Sequence, residues 1–246
     1  MDAASACFAA LGFTLTPRGH HSLGSINHLM MTGGAYLELV GVPEEGLQRQ
    51  EVLDSPYGVN GLVLRSDNAD ATFARLTEAG FPALAPGIFS RPVTIDGQTL
   101  DARFRTVRFS PETFSGGRVY FCEHLTPELV WRKEWLTHPN GFCGIDRFMI
   151  ETPNAEADAG RYAAAFESRV QQFSAGWRVP LDDAEIKIIE RAKSRFATVE
   201  LVFENLDEIE RRAGLLTDTV WQRRGAREAT LALPAFDLNL TCRSSR

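Results

Sequence analysis

The feature that most constrains the fold is a short motif that recurs along the chain. In this motif a helical segment ends in a glycine and an apolar residue, and an extended segment follows. The motif occurs at Leu11-Gly12-Phe13, Ala79-Gly80-Phe81 and Ala213-Gly214-Leu215. A glycine at this place is typical of the left-handed residue that ends a helix, with the next apolar residue returning to the core. The motif therefore predicts three helices with defined ends, over Ala3–Leu11, Ala69–Ala79 and Asp207–Ala213.

Strand-like segments recur together with these helices and with a fourth helical segment, Asn154–Phe166. One apolar or alternating segment precedes each of the last three helices, and these are Gly61–Ser66, Ile145–Glu151 and Phe196–Phe203. Further strand-like runs follow the helices, namely Asp101–Phe109, Arg118–Leu125, Glu185–Arg191, Val220–Gln222, Arg227–Leu233 and Phe236–Cys242. The repeated unit is thus β-α-β-β-β, about 60 residues long and present four times. This pattern predicts an α+β fold.

The first unit departs from the pattern because it opens directly on its helix, with no strand before Ala3. A missing strand leaves a bare sheet edge, which folded proteins normally cover. Two explanations remain open. Either the natural chain begins upstream of this sequence, or another segment fills the gap.

A connector lies between the second and third units, at Pro127–Gly141. It contains Trp131, Trp135 and the strong turn signal His138-Pro139-Asn140-Gly141. We therefore predict two domains, 1–135 with the candidate site and 142–246 as a degenerate second copy.

Composition narrows the list of partners and locations. The formal net charge is −6, which disfavours a nucleic-acid surface and an anionic membrane. No apolar run approaches the ~20 residues needed to cross a bilayer. The scattered cysteines form no C-x-x-C pair and are typical of reduced thiols. We expect a soluble, cytoplasmic protein whose partner is a small molecule.

One hairpin carries the polar residues that most need an explanation. Its strands, Ile26–Met31 and Ala35–Val42, flank Thr32-Gly33-Gly34. Glu38 lies among apolar residues in the second strand, where a carboxylate is costly unless another group pairs with it. Asn27 lies in the first strand and His20 precedes it, so both are predicted to line the hairpin mouth and contact substrate. No phosphate loop, dinucleotide fingerprint or nucleophile elbow competes with this region.

Several segments resemble one known superfamily. They are Leu11-Gly12-Phe13, Pro17-Arg18-Gly19-His20, Gly24-Ser25-Ile26-Asn27, Tyr36-Leu37-Glu38-Leu39, the run from Phe121 to Trp131, and His138-Pro139-Asn140-Gly141. The chain resembles the vicinal oxygen chelate superfamily, and more narrowly its bacterial glyoxalase-like domain proteins. The resemblance implies four βαβββ units paired into two glyoxalase/bleomycin-resistance-like domains, with the first strand of unit one missing.

The resemblance also implies a metal site, because metal enzymes of this superfamily hold a divalent ion with a Glu in the last strand of each unit and a His or Glu in the first. Glu38 and Glu123 match the last-strand positions, although matching Tyr36 to Tyr120 puts Cys122 opposite Glu38. The first-strand position of unit two falls on Asn60 or Gly61, and units three and four offer Arg147 and Asn239, so the ligand set is degraded. Zn, Ni, Fe and Mn remain candidate ions.

The resulting expectation is a lyase or isomerase, rather than a dioxygenase, acting on a small carbonyl or hydroxy compound. Glu38 and Glu123 are the candidate catalytic residues, as metal ligands or with one as general base. His20, Asn27 and His124 are the candidate substrate contacts. The alternative is a non-catalytic protein of the resistance type that sequesters a small aromatic or hydrophobic molecule, as the missing ligands favour. A homodimer through exposed sheet edges is a further expectation.

Overall fold

The four predicted repeats are present in the computed structural model, which describes residues 1–245. Unit one contains α1 (Asp2–Ala10), β1 (Gly19–His20), β2 (Ile26–Met31) and β3 (Tyr36–Gly41), followed by the short helix α2 (Gln50–Leu53). Unit two contains β4 (Gly61–Arg65), α3 (Ala69–Glu78), β5 (Gly87–Ile95), β6 (Gln98–Arg108) and β7 (Arg118–His124). Unit three contains β8 (Phe142–Thr152), α4 (Ala155–Ala165), β9 (Gln171–Phe173), β10 (Gly176–Pro180) and β11 (Glu185–Glu190). Unit four contains β12 (Arg195–Phe203), α5 (Asp207–Ala213), β13 (Val220–Arg223), β14 (Glu228–Leu233) and β15 (Leu238–Ser244).

The strands of the last three units follow one pairing rule. The first strand of each unit pairs in parallel with its last strand, while the other neighbours within the unit are antiparallel. Units three and four join through antiparallel pairing of β8 with β12, which produces an eight-stranded sheet. The α+β fold of four βαβββ units is therefore confirmed.

Unit one is the exception, as predicted. Its strands form a three-stranded sheet in the order β1-β2-β3, and unit two forms a separate four-stranded sheet in the order β4-β7-β6-β5. Within residues 1–245, β3 pairs only with β2 and β4 pairs only with β7. Both free edges border one cavity of about 1750 Å³. All six residues of β3 line this cavity.

Two of the three predicted glycine helix ends are correct. Gly12 and Gly80 have φ values of +87° and +81°, in the left-handed region. Gly214 was also predicted to be left-handed, and this is wrong, because its φ of −65° continues the helical conformation at the end of α5. At the start of α3, the Asn68 side chain caps the helix by accepting a hydrogen bond from the Ala71 N–H.

The connector joins the end of α1 to the rest of the molecule. His138 accepts a hydrogen bond from the Thr14 N–H through Nδ1, and its Nε2 lies 2.8 Å from the Met31 carbonyl oxygen. Asn140, which is 1% exposed, donates to the Leu11 carbonyl and accepts from the Phe142 N–H, each at 3.0 Å. The turn signal in the sequence thus has a buried structural role.

The apolar core crosses the predicted domain boundary. Phe13, at the end of α1, packs edge-on against Phe142 of β8, with ring centroids 5.2 Å apart. Phe114, after β6, packs against Tyr162 of α4 at 4.6 Å. No strand of residues 1–135 shares a sheet with a strand of residues 142–245. The division into two domains stays a prediction, because the core is shared. Among the helices described, none is long and apolar enough to span a membrane.

Candidate functional site

The candidate site lies on the inner face of the two sheets of units one and two, here called the cup. This face carries an apolar cluster that includes Leu29 and Met31 of β2, Phe104 of β6 and Cys122 of β7. Glu38 pairs with Leu29 and Tyr36 pairs with Met31 across the β2–β3 ladder. Because paired residues point to the same side of a sheet, Glu38 and Tyr36 face into the cup.

Glu38 is the acid of the cup. The Asn27 Nδ2 donates a hydrogen bond to Glu38 Oε1 at 2.6 Å, so two of the residues singled out in the sequence are in contact. Burial raises the pKa of Glu38 above its usual value, while the bond from Asn27 and the charges of Arg91, Arg118 and Arg49 partly oppose this shift. Glu38 also lines the cavity between β3 and β4. The site therefore holds a carboxyl group that binds its proton more tightly than an exposed glutamate does.

The groups around Glu38 keep their protons. Burial raises the pKa of Tyr36 and of Tyr120 well above that of a free tyrosine, with Glu38 adding to both shifts. The pKa of Cys122 rises to about 12 for the same reasons. Tyr36, Tyr120 and Cys122 also line the cavity. At neutral pH these side chains are available as hydrogen-bond donors and not as nucleophilic anions.

Arg91 is the functional candidate that sequence reasoning missed. It lies on β5 between Phe89 and Val93, which belong to the cup cluster or pack against it. Its side chain packs closely against Gly19. A Cβ atom added to this glycine would lie 2.9 Å from Arg91 Cδ and 2.3 Å from Asn27 Oδ1, so only glycine fits here. Glu38 has the apolar Leu37 and Leu39 on either side, whereas Arg91 has Ser90 and Pro92, so the signal that singled out Glu38 is absent here. Only the apolar residues two positions away resemble those of Glu38, and β5 itself was not predicted.

The histidines are placed differently from the predictions. His20 is exposed on β1, and the next residue, His21, packs against Phe89 with ring centroids 5.3 Å apart. Burial and the charge of Arg91 lower the pKa of His21 to about 4. His124 lies in the cup against Phe104 and Trp131, and burial lowers its pKa to about 4 as well. Both buried imidazoles are neutral at pH 7.

Glu123 lies away from Glu38. Its Oε2 accepts a hydrogen bond from the Ala69 N–H at the start of α3, at 2.9 Å, and lies 3.6 Å from Arg105 Nη1. Because side chains alternate along β7, the residue that shares the cup with Glu38 is its neighbour Cys122. Of the two ways to align units one and two, the structure supports the match of Tyr36 with Tyr120. Glu123 lines the same cavity as Glu38, but its carboxylate is held at the start of α3 and does not contact Glu38.

The residues present do not fit a divalent metal ion. Among residues 1–245 no group of three or more His, Cys, Asp and Glu side chains could hold one. The charged neighbours that act on Glu38 are Arg91, Arg118 and Arg49, and cations beside a carboxylate oppose metal binding.

The eight-stranded sheet of units three and four carries charged residues that are paired with one another. Arg147 binds Glu185 at 2.7 Å and Glu200 at 2.6 Å, and Arg243 lies 3.3 Å from Glu200. Asn239 is exposed on β15. The charge of the half-buried Arg147 is therefore already paired, and the cup of units one and two is the better candidate site.

A family model described as the glyoxalase-like domain matches residues 1–166. The chain belongs to this glyoxalase-like family. The predicted membership of the vicinal oxygen chelate superfamily is confirmed. The match covers α1, the cup and the connector, so the glyoxalase-like domain contains Glu38, Arg91 and His124. No curated protein matches the chain.

Solved structures share the fold of this glyoxalase-like protein at low sequence identity. A hypothetical protein from Staphylococcus aureus has a TM-score of 0.70 at 12% identity, covering 94% of this chain and 90% of that one. A xylose isomerase-like TIM barrel/4-hydroxyphenylpyruvate dioxygenase fusion protein has a TM-score of 0.59 at 12% identity, covering 100% of this chain and 46% of its own. The Mn(II)-bound glyoxalase from Novosphingobium aromaticivorans has a TM-score of 0.55 at 14% identity, covering 98% and 77%. At this identity the likeness shows the fold alone.

Proposed function

We propose that this protein is an enzyme of the lyase or isomerase kind, acting on a small carbonyl or hydroxy compound in the cup. The observation that carries the proposal is Glu38, an acid with a raised pKa that lines the cavity and has Asn27 as its hydrogen-bond partner. A carboxyl group whose pKa moves toward the working pH is a suitable general acid and base. The proposed reaction needs no other titrating group.

In the proposed reaction, the Glu38 carboxylate removes a proton from the carbon next to the substrate carbonyl. The electron pair of the broken C–H bond moves to the carbonyl oxygen and gives an enolate. The neutral hydroxyl of Tyr36 or Tyr120 stabilises this oxygen by donating a hydrogen bond. Protonated Glu38 then returns the proton to the former carbonyl carbon, while the proton of the neighbouring hydroxyl passes to the enolate oxygen, so that the carbonyl and hydroxyl groups exchange places. If the enolate collapses with cleavage of the bond to a hydroxyl on the next carbon, that hydroxyl takes the proton from Glu38 and leaves as water, and the outcome is elimination.

The test follows exchange of the carbon-bound proton in D₂O by NMR, with a panel of small hydroxy carbonyl compounds. We expect Glu38→Gln to slow exchange roughly a hundredfold or more, the usual contribution of a general base. Glu123→Gln removes the same charge from the opposite face of β7 and is expected to keep the wild-type rate. Full exchange in Glu38→Gln, with the variant folded by circular dichroism, would contradict the proposal.

The second candidate function is the non-catalytic one, a pocket that sequesters a small hydrophobic or aromatic molecule. The observation that favours it is the degraded ligand set, together with aliphatic cavity-lining residues such as Leu37, Leu39, Val63 and Leu64. Stoichiometric binding without proton exchange or turnover, equal in wild type and Glu38→Gln, would support this function over the enzyme.

A further inference from the structure

An excess of positive charge surrounds Glu38, although the whole protein carries a net charge of −6. Six charged groups near Tyr120 interact electrostatically with one another. They are four arginines and two glutamates, namely Arg49, Arg91, Arg108, Arg118, Glu38 and Glu51. A local charge opposite to that of the molecule concentrates ligands of the other sign.

Part of this excess is already neutralised. Arg49 lies 2.6 Å from Glu51 Oε2, and Arg108 lies 3.3 Å from Glu51 Oε1. Both arginines therefore share one carboxylate at the rim of the site. Arg91 and Arg118 have no ion-pair partner within 4.0 Å among residues 1–245.

Arg91 is the buried member of the group. It is 3% exposed, and its Nη2 has no hydrogen-bond partner in the described part of the chain. The neighbouring Asn27 Oδ1 also lacks a partner there, while Asn27 Nδ2 binds Glu38. A buried guanidinium without a partner costs free energy, since burial opposes its charge. A bound ligand with a negative charge would provide the partner that this guanidinium lacks.

Arg118 is the member that lines the cavity. Its Nη2 donates to Asn60 Oδ1 at 2.9 Å, which holds the side chain in place, and its Nε has no partner among residues 1–245. Arg118 lies in register with Cys122 on β7, and Arg91 lies in register with Phe89 and Val93 on β5, so both arginines face the same side as Glu38.

We propose that the cup binds a small organic anion, with its carboxylate or phosphate group held by Arg118 on the cavity wall, the charge of the buried Arg91 adding to the attraction, and its carbonyl or hydroxyl group beside Glu38. The guanidinium group recognises both oxyanions through paired N–H donors. This inference rests on the proposed function, whose substrate class it narrows from small carbonyl compounds to charged ones.

The test is isothermal titration of the full chain with three probes: pyruvate, its uncharged methyl ester, and inorganic phosphate. We expect at least one anion to bind about tenfold or more tighter than the ester, and binding to weaken as salt rises. Arg118→Gln should remove this preference, while Arg118→Lys should keep part of it, since lysine retains the charge but not the fork of donors. Arg103→Gln, an exposed arginine on β6, is the matched control and should bind as wild type does.

The outcomes separate this inference from the proposed function. Pyruvate binding without phosphate binding assigns a carboxylate ligand, and the reverse assigns a phosphate ligand; both support the inference. Equal binding of acid and ester, no binding of either anion at millimolar concentration, or an unchanged preference in Arg118→Gln overturns it. Anion binding with no Glu38-dependent exchange would defeat the enzyme proposal alone. Glu38-dependent exchange on neutral substrates only would defeat the anion inference alone.

Discussion

At the scale of single residues, the site consists of charged groups held where water is scarce. Glu38 and Arg91 are each flanked by apolar residues two positions away on their strands, yet they form no direct ion pair. Asn27 binds one of them and packs beside the other. A pair held apart in this way keeps an acid and a guanidinium in one cup without mutual neutralisation.

The raised pKa of Glu38 predicts a pH dependence of stability. Because the folded state binds the proton more tightly than the unfolded chain, Glu38 stabilises the fold below its ordinary pKa of 4.5. That contribution is lost as pH rises through the higher folded-state pKa. We expect the free energy of unfolding of wild type, relative to Glu38→Gln, to fall as pH rises above about 4.5. Urea unfolding of both proteins across this range measures it, and parallel pH curves would contradict the assignment.

The low pKa of His21 predicts the opposite trend. Its folded-state pKa of about 4 lies below the ordinary 6.5, so stability from the neutral ring is complete above pH 6.5 and is lost as pH falls toward 4. We expect His21→Gln to remove part of the acid destabilisation, on the order of 2 kcal/mol. His20→Gln, which changes the exposed neighbour, is the matched control. Equal acid sensitivity in both variants would show that His21 is not responsible.

At the scale of elements, the connector does more than join two halves. Its 3₁₀ turns place Trp135 in the cup cluster, and its last residues bond to the end of α1. The connector therefore closes the cup at one end and holds helix α1 against β8. His138 of the connector also contacts the Met31 carbonyl of β2, the strand that pairs with β3.

Asn140 provides a measure of the connector's contribution. Asn140→Ala leaves the buried Leu11 carbonyl and Phe142 N–H without these partners, so we expect a loss of roughly 2–4 kcal/mol in unfolding free energy. Asn205→Ala removes a similar bond, to the Asp207 N–H, at an exposed position and should cost about 1 kcal/mol or less. Denaturant unfolding of the two variants makes the comparison. Similar small losses would mean that water replaces the bonds of Asn140.

At the scale of the whole molecule, the two halves differ in how their sheets are joined. Units three and four form one continuous sheet through β8 and β12, whereas units one and two form two sheets with free edges facing a cavity. In the closed half, Arg147 and Arg243 are paired with Glu185, Glu200 and Asp146. In the open half, Glu38 and Arg118 line an accessible cavity and Arg91 is buried in the same cup, and it is there that we place the function.

The free edges predict a difference in amide exchange. Outward N–H groups of β3 and β4 lack strand partners among the described residues, so we expect them to exchange faster than amides of β8 and β12. Hydrogen–deuterium exchange followed by mass spectrometry measures this. If the protein forms the predicted homodimer by pairing one of these edges, exchange at that edge will slow as protein concentration rises. Uniformly slow exchange at all concentrations would show that another segment covers the edges.

The sequence by itself determined the repeat, because helix ends, strand periods and turn residues are local signals that depend on nearby residues. It showed the four units, the incomplete first unit and the unusual acid Glu38, together with its neighbour Asn27. Only the tertiary structure decided which side chains share a face. Moving one residue along a strand reverses the direction of the side chain, so Cys122 faces Glu38 while Glu123 binds α3. The tertiary structure also places Arg91 and Arg118, which are distant from Glu38 in the chain, on the same side of the cup as Glu38. Charge becomes functional through burial and proximity, and both are properties of the folded chain.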